Sequence, residues 1–269
     1  MPKPREDATF NLETAKQNLL NGDNLTRAAI CEQLKKMGKG GIAVLVSALF
    51  EIPKTVNELG KHAKADIAST LSEIGPEVVP ELISALKGHH HGGEPDYELF
   101  QALPVFVALR DKRALETLTS RYESMKKSGQ ALGGSLLAVR LPEAIAVIKG
   151  ENGGFEILID ALDENDMYKI GVASHAAEAL GRWGDLRALP HLMNAARRVY
   201  FHNGTVRGQN IGALQGLSEL VRRHPGAIES DTLRQMLRLP DEYSQYGPQH
   251  VYSSFREVVS NELQNLSSQ

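Results

Sequence analysis

The chain has 269 residues, a formal net charge of −3, 42% apolar residues and 23% charged residues. This composition is ordinary for a folded globular protein, and the acidic balance gives no reason to expect a nucleic-acid-binding protein. No apolar run approaches the roughly 18 residues that a membrane helix needs, and the polar start of the sequence lacks the apolar core of a signal peptide. We therefore expect a cytoplasmic protein without an internal disulfide, since Cys31 is its single cysteine.

The first predicted element is a polar-faced helix over residues 9–21, which would form an N-terminal cap within residues 1–24. Behind it, a leucine-led block recurs six times, and its first residues are Leu45, Leu82, Leu118, Leu158, Leu192 and Leu233. The steps between these leucines are 37, 36, 40, 34 and 41 residues. A period in this range is typical of stacked helix pairs, so the sequence predicts a repeat array.

Each repeat is predicted to contain two helices joined by a tight turn. The pattern Leu-x-x-apolar-Gly closes the first helix at Gly38, Gly75 and Gly184. Glycine suits such a helix end because the chain often turns there through a left-handed backbone conformation. Asp111 and Asp185 then head similar segments, where their carboxylates would cap the free amides of the second helix. No alternating apolar and polar run predicts a strand.

The array is expected to span residues 25–240, with a joint between two sub-arrays at the glycine-rich residues 129–154. Residues 241–269 would form a C-terminal strap and a capping helix with one apolar stripe. Two aromatic segments, residues 200–207 and 243–252, contain tyrosines and arginine, which are common at interaction hot spots. For the second of these segments we favour a strap that covers the end of the stack.

Residues 174–192, with the sequence SHAAEALGRWGDLRALPHL, resemble the short HEAT-like repeats of phycobilin lyases nearly throughout. The resemblance extends over about residues 25–240. It implies an all-α, right-handed α-solenoid of about six HEAT-like helix pairs with a capping helix at each end. The matching positions are packing positions, so the resemblance is specific for fold and weak for function.

The second helices carry an aligned row of polar residues, which we call the polar face. The third residue of every leucine block is polar, and charged residues follow one helical turn later. The resemblance implies that second helices line the concave surface of the stack. We therefore predict that a partner protein is bound by part of this row: Asp160, Asp163, Glu164, Asn194, Arg197, Arg198 and Arg238. The alternative is an ordinary solvated helix face.

Motifs for catalysis and metal binding are missing from the sequence. It contains no phosphate loop, no nucleophile elbow and no pair of closely spaced cysteines. His89, His90 and His91 precede Glu94 and Asp96, but a glycine-rich segment does not hold metal ligands rigidly, so we interpret it as a solvated loop. HEAT-like hydroxylases that carry two irons use His-Glu dipeptides, and this sequence has none. We expect no cofactor, no metal and no enzymatic activity.

The function predicted first is a non-catalytic scaffold or adaptor that holds another protein on its concave surface. A lyase-like or chaperone role toward a tetrapyrrole-carrying protein is the alternative, because phycobilin lyases share these repeats and their chemistry has no short motif. Nucleic-acid binding through the last third of the chain is a further alternative. Residues 185–238 carry eight arginines and four acidic residues, and arginine binds carboxylate or phosphate in a planar, bidentate manner.

Overall fold

The computed structural model describes residues 11–52, 58–88, 95–128, 136–150, 153–163, 170–202, 205–239 and 248–268. The chain divides into two compact units, Met1–Thr117 and Leu118–Gln269. The described residues are almost entirely helical, and one two-stranded hairpin is the exception among them. No helix in these ranges is long and apolar enough to cross a membrane. The all-α fold of stacked helix pairs predicted from the sequence is confirmed.

The first unit is built in two layers of helices. They are α1 (Leu12–Asn21), α2 (Asn24–Lys36), α3 (Lys39–Glu51), α4 (Glu58–Ile74), α5 (Val79–Gly88) and α6 (Pro95–Leu109), and α7 (Leu115–Ser128) then crosses into the second unit. First helices pack on each other in series, α2 on α4 and α4 on α6, and the second helix α3 packs on α5. Helix α1 packs on α2, α3 and α4, which is the position expected of a cap.

The second unit repeats this two-layer arrangement. Its elements are α8 (Leu136–Lys149), α9 (Gly154–Leu162), α10 (Ile170–Trp183), α11 (Ala188–Arg197), β1 (Val199–His202), β2 (Thr205–Gln209), α12 (Ile211–Arg223), α13 (Ser230–Arg238) and α14 (Gln249–Ser267). The first helices α8, α10 and α12 pack in series and α12 packs on α14, which is the predicted C-terminal helix. The second helices α9 and α11 each pack on neighbouring first helices, and α13 packs on α14.

The leucine blocks supply the core of both units. The leading residue is 0% exposed in all six blocks: Leu45, Leu82, Leu118, Leu158, Leu192 and Leu233. The leucines of the first helices, Leu34, Leu71 and Leu180, are equally buried. Complete burial of a leucine side chain stabilises the folded state by about 1.5–3 kcal/mol, so the repeated leucine accounts for much of the stacking energy.

The ends of the helices follow the predicted chemistry with one exception. Gly38, Gly75 and Gly184 have φ angles of 60°, 106° and 79°, as a left-handed helix end requires. Arg110 takes the corresponding position at the end of α6 with φ 51°, where the sequence has no glycine. Asp111 accepts a hydrogen bond from the backbone amide of Arg113, so the predicted cap is confirmed.

The sequence analysis predicted no strand, and this prediction is wrong for residues 199–209. Strands β1 and β2 form an antiparallel hairpin in which Val199 pairs with Gln209 and His202 with Thr205. Asn210 follows β2 directly, is fully buried, and its side chain accepts a hydrogen bond from the backbone amide of Ala213 at the start of α12. The hairpin therefore occupies the connection between α11 and α12, the region of the aromatic segment that the sequence analysis gave as residues 200–207.

Helices α10 and α12 approach each other closely enough for their backbones to touch. A Cβ atom built on Gly216 would lie 2.4 Å from the carbonyl oxygen of Ala177, and one built on Gly181 would lie 2.5 Å from the Cα of Gly216. Real Cβ atoms essentially never make contacts this short. The absence of side chains at these two positions therefore sets the spacing between consecutive repeats.

We predict that Gly216→Ala lowers the free energy of unfolding by about 1–3 kcal/mol, because the added methyl group forces α10 and α12 apart. Gly40→Ala is the matched control, since a Cβ at that position in α3 has no neighbour within 4 Å. The control should be neutral or stabilising by up to about 1 kcal/mol, because alanine has the higher helix propensity. Urea unfolding followed by circular dichroism measures both, and equal effects of the two substitutions would contradict the close approach.

Candidate partner-binding face

The polar face lies on the surface of the second helices, two residues away from the buried leucines. The third residue of the leucine block is exposed in five repeats, and Ser47 in α3 is half-buried. The residues one turn later that the structure describes are exposed apart from the half-buried Arg198: Glu51, Lys87, Glu123, Asp163, Arg197, Arg198 and Arg238. The predicted contact residue Glu164 lies outside the described residues.

Both described carboxylates predicted as contacts are ion-paired with another helix. Asp160 in α9 accepts a hydrogen bond from Lys126 in α7 at 2.7 Å and a longer one from the hydroxyl of Tyr122 at 3.4 Å. Asp163, which ends α9, accepts a hydrogen bond from the Nη2 of Arg198 at 2.7 Å. The negative charge predicted for this part of the polar face is therefore largely compensated within the second unit.

Arg198 is held by a backbone carbonyl as well as by the carboxylate of Asp163. Its Nη1 donates to the carbonyl oxygen of Leu162 at 3.0 Å, so the guanidinium satisfies the C-terminal end of α9 as well as Asp163. About 20% of its side chain is exposed, against 51% for Asp163. Arg198 therefore has a structural role between α9 and the end of α11, in addition to any contact with a partner.

Arg197 and Arg238 differ from Arg198, because neither forms an ion pair with any residue that the structure describes. Each lies in the last turn of its helix, α11 or α13, where positive charge interacts favourably with the helix dipole. Asn194 and Gln235 lie one turn earlier on the same helix faces and are also exposed. These four residues give α11 and α13 equivalent surfaces of one amide and one uncompensated arginine.

The sequence analysis missed the residues that neutralise the acidic positions. Lys126 precedes Asp160 by 34 residues, and Asp163 precedes Arg198 by 35, which is close to one repeat. The same spacing joins Lys35 to Glu73 at 2.8 Å. Opposite charges one repeat apart are thus the signal that could have found these pairs. The Lys35 hydrogen bond also lowers the pKa of Glu73.

A second polar cluster lies on the first helices of the second unit. His175 in α10 contacts Glu143 in α8 at 2.6 Å through its Nε2, and Arg182 donates to the other oxygen of Glu143 at 2.7 Å. These hydrogen bonds, led by that of His175, lower the pKa of Glu143 to about 2 from an ordinary value of 4.5. His175 is largely buried in this cluster, since only 11% of its side chain is exposed.

A cleft of about 360 Å³ adjoins this cluster between α10, α12 and α14. Phe255 and Val251 contribute apolar lining, while Arg182, Arg222 and His250 lie among the polar residues of its wall. Arg182 is already bonded to Glu143, and Glu219 lies 3.0 Å from Arg223 and 3.8 Å from Arg222. Arg182 and Glu219 of the cleft are therefore already paired with neighbouring side chains.

The remaining sequence candidates have different outcomes. Burial raises the pKa of the Cys31 thiol, as expected for a structural cysteine. Within the described ranges, no three histidine, cysteine or carboxylate side chains are grouped so that they could hold a metal ion. The histidine-rich residues 89–91 lie outside those ranges, as do residues 243–247 of the predicted strap. Tyr252 is buried in α14.

Comparison with known proteins identifies one helix pair of the second unit. Residues 172–198, which include most of α10 and all of α11, match the family described as PBS lyase HEAT-like repeat. Residues 172–198 form a HEAT-like repeat. The resemblance predicted from residues 174–192 is thereby confirmed, and the matched HEAT-like repeat contains three of the predicted contact residues, Asn194, Arg197 and Arg198.

A search of solved structures finds human deoxyhypusine hydroxylase in complex with glycerol. The match has 15% sequence identity and a TM-score of 0.32, and it covers 94% of this chain and 96% of that chain. No curated protein sequence matches the chain.

We predict that Glu143→Gln lowers the free energy of unfolding by about 2 kcal/mol at pH 7, because it weakens charged hydrogen bonds between α8 and α10. The folded pKa lies below the unfolded one, so this stability is present above about pH 4.5. It is lost as the pH falls towards 2, where Glu143 becomes protonated in the folded protein as well. The difference between wild type and variant should shrink over this interval.

Urea unfolding at several pH values between 2 and 7 measures that difference. Glu257→Gln on the exposed surface of α14 removes one carboxylate charge elsewhere in the second unit and is the control. A wild-type-minus-variant difference that is small at pH 7, or equally large at pH 2, would contradict the assigned role of Glu143.

Proposed function

We propose that this helical repeat protein is a non-catalytic scaffold that binds a partner protein through the polar face of its second unit. The observation that carries the proposal is the pair of equivalent arginines, Arg197 and Arg238, which have no ion pair with the residues that the structure describes and each follow an exposed amide by one turn. Apart from their interaction with the helix dipole, these side chains contribute little to the packing of the stack, because they contact no described carboxylate and lie outside the leucine core. Arginine is also enriched among the residues that dominate binding energy at protein interfaces.

The repeat architecture supports the proposal. Consecutive repeats present equivalent positions at a regular interval, so α11 and α13 offer similar surfaces to one extended ligand. An enzyme site would instead be expected to gather polar groups with perturbed pKa values in a concave pocket. The polar cluster that does shift a pKa, around Glu143, consists of groups that bind one another, so we assign it to the stability of the stack.

We predict that reversing both charges, in Arg197→Glu with Arg238→Glu, reduces partner capture by at least about tenfold, while the lost helix-dipole interactions lower the thermal midpoint by no more than about a few degrees. The reason is that exposed side chains without ion pairs contribute little to folding, whereas arginine at an interface can contribute 1–2 kcal/mol or more. A photo-crosslinking amino acid placed at Asn194 or Gln235 reports capture inside the native cell, and mass spectrometry quantifies the crosslinked proteins.

Lys36→Glu with Lys112→Glu is the matched control, because it makes the same change in charge at exposed lysines away from the polar face. A crosslinker at Glu32 in α2 serves as the control position. Crosslinked partners that are recovered equally from all positions, or that are insensitive to Arg197 and Arg238, would refute the proposal.

A further inference from the structure

We infer that the segment of the partner held by this face is an acidic polypeptide. The inference rests on the proposed function and assigns the chemistry of the ligand. The sequence alone indicates a mixed face, acidic at Asp160, Asp163 and Glu164 and basic at Arg197, Arg198 and Arg238. The contacts in the second unit change this balance, because both described acidic residues are bound by cations of adjacent helices.

The charges that remain on α11 and α13 are therefore positive. Arg197 and Arg238 have no counter-charge among the residues that the structure describes. Among the residues that the structure describes, Arg234 on α13 is paired only with Asp231 one turn before it, and the two side chains are exposed at 57% and 83%. An exposed pair of this kind contributes little to stability, so Arg234 can exchange Asp231 for a carboxylate of the ligand at little cost.

Carboxylate is the anion that best fits this arrangement. Arginine forms two parallel hydrogen bonds with a carboxylate, and the exposed amides of Asn194 and Gln235 can bind the backbone of an extended peptide. A nucleic acid presents an unbroken row of phosphates, which would meet the 83% exposed carboxylate of Asp231 on α13 as well as the arginines. A peptide can place its own acidic residues at the arginines and an uncharged residue at Asp231.

Asp163 provides a substitution with the opposite expected effect. Its carboxylate holds one nitrogen of Arg198, while the other nitrogen stays bonded to the carbonyl of Leu162. Asp163→Asn therefore removes the compensating charge and leaves Arg198 in place. If the face binds an acidic segment, this substitution strengthens binding, whereas it weakens binding if Asp163 itself contacts a basic partner.

The experiment uses the full chain and three fluorescein-labelled probes in fluorescence anisotropy. The probes are a peptide of alternating glutamate and serine, a peptide of alternating lysine and serine, and an oligothymidylate with the same number of charges. We expect the glutamate peptide to bind most tightly. Arg197→Glu with Arg238→Glu should weaken its binding by about tenfold or more, Asp163→Asn should strengthen it by about two- to fivefold, and Lys36→Glu with Lys112→Glu should leave it unchanged.

Any of the following outcomes would overturn the inference. Tighter binding of the oligothymidylate, with a steep loss of affinity on adding salt, would assign the face to nucleic acid. Preference for the lysine peptide, weaker binding by Asp163→Asn, or equal loss in the lysine control would show that the arginines do not select carboxylates. If crosslinked capture depends on Arg197 and Arg238 but the glutamate peptide does not bind, the inference fails alone. If capture does not depend on these arginines, the proposed function itself fails.

Discussion

The stacking of each helix pair on its neighbours is the constraint on which the rest of this structure depends. A pair of short helices cannot bury its own apolar faces, so the repeats within each unit rely on one another. The fully buried leading leucines and the backbone contact between Gly181 and Gly216 meet this need directly. Side chains that pack between repeats are constrained by that packing. A ligand can therefore be bound only by side chains that lie outside the packed interfaces.

Polar side chains take part in the stacking as well as the leucines. Arg27 in α2 is completely buried, and it is satisfied by Asp66 of the next first helix and by the carbonyl of Gly22. A buried guanidinium without such partners would cost several kcal/mol, so this contact fixes the register between consecutive first helices. The bond of Arg198 to Leu162 and Asp163 links α9 and α11 in the same manner, with smaller energy because the pair is partly exposed.

The features that the sequence predicted are the ones set within a single repeat. Leucine spacing, the glycines that end helices and the caps at Asp111 and Asp185 depend on a few neighbouring residues, and the structure shows them as expected. The positive φ angle of Arg110 was not predicted, because the turn and not the residue type determines its backbone conformation. The hairpin was missed although Asn203-Gly204 lies between its strands, a dipeptide that strongly favours two-residue hairpin turns.

The exposed positions of the candidate site could be predicted from the sequence, but its ion pairs could not. The exposure of Asp160 and Asp163 follows from the pattern of apolar and polar residues in α9. Their ion pairs join residues that are 34 and 35 positions apart in the sequence, and only the packing of the helices decides whether such residues meet. For the same reason, the net charge counted in the sequence does not indicate which ligand the polar face binds. The whole chain carries a net charge of −3, yet α11 and α13 present exposed arginines, because among the described residues Lys126 and Arg198 already bind the carboxylates of Asp160 and Asp163. In a repeat protein of this kind, a partner can pair only with those charged side chains that are not already paired with a neighbouring repeat.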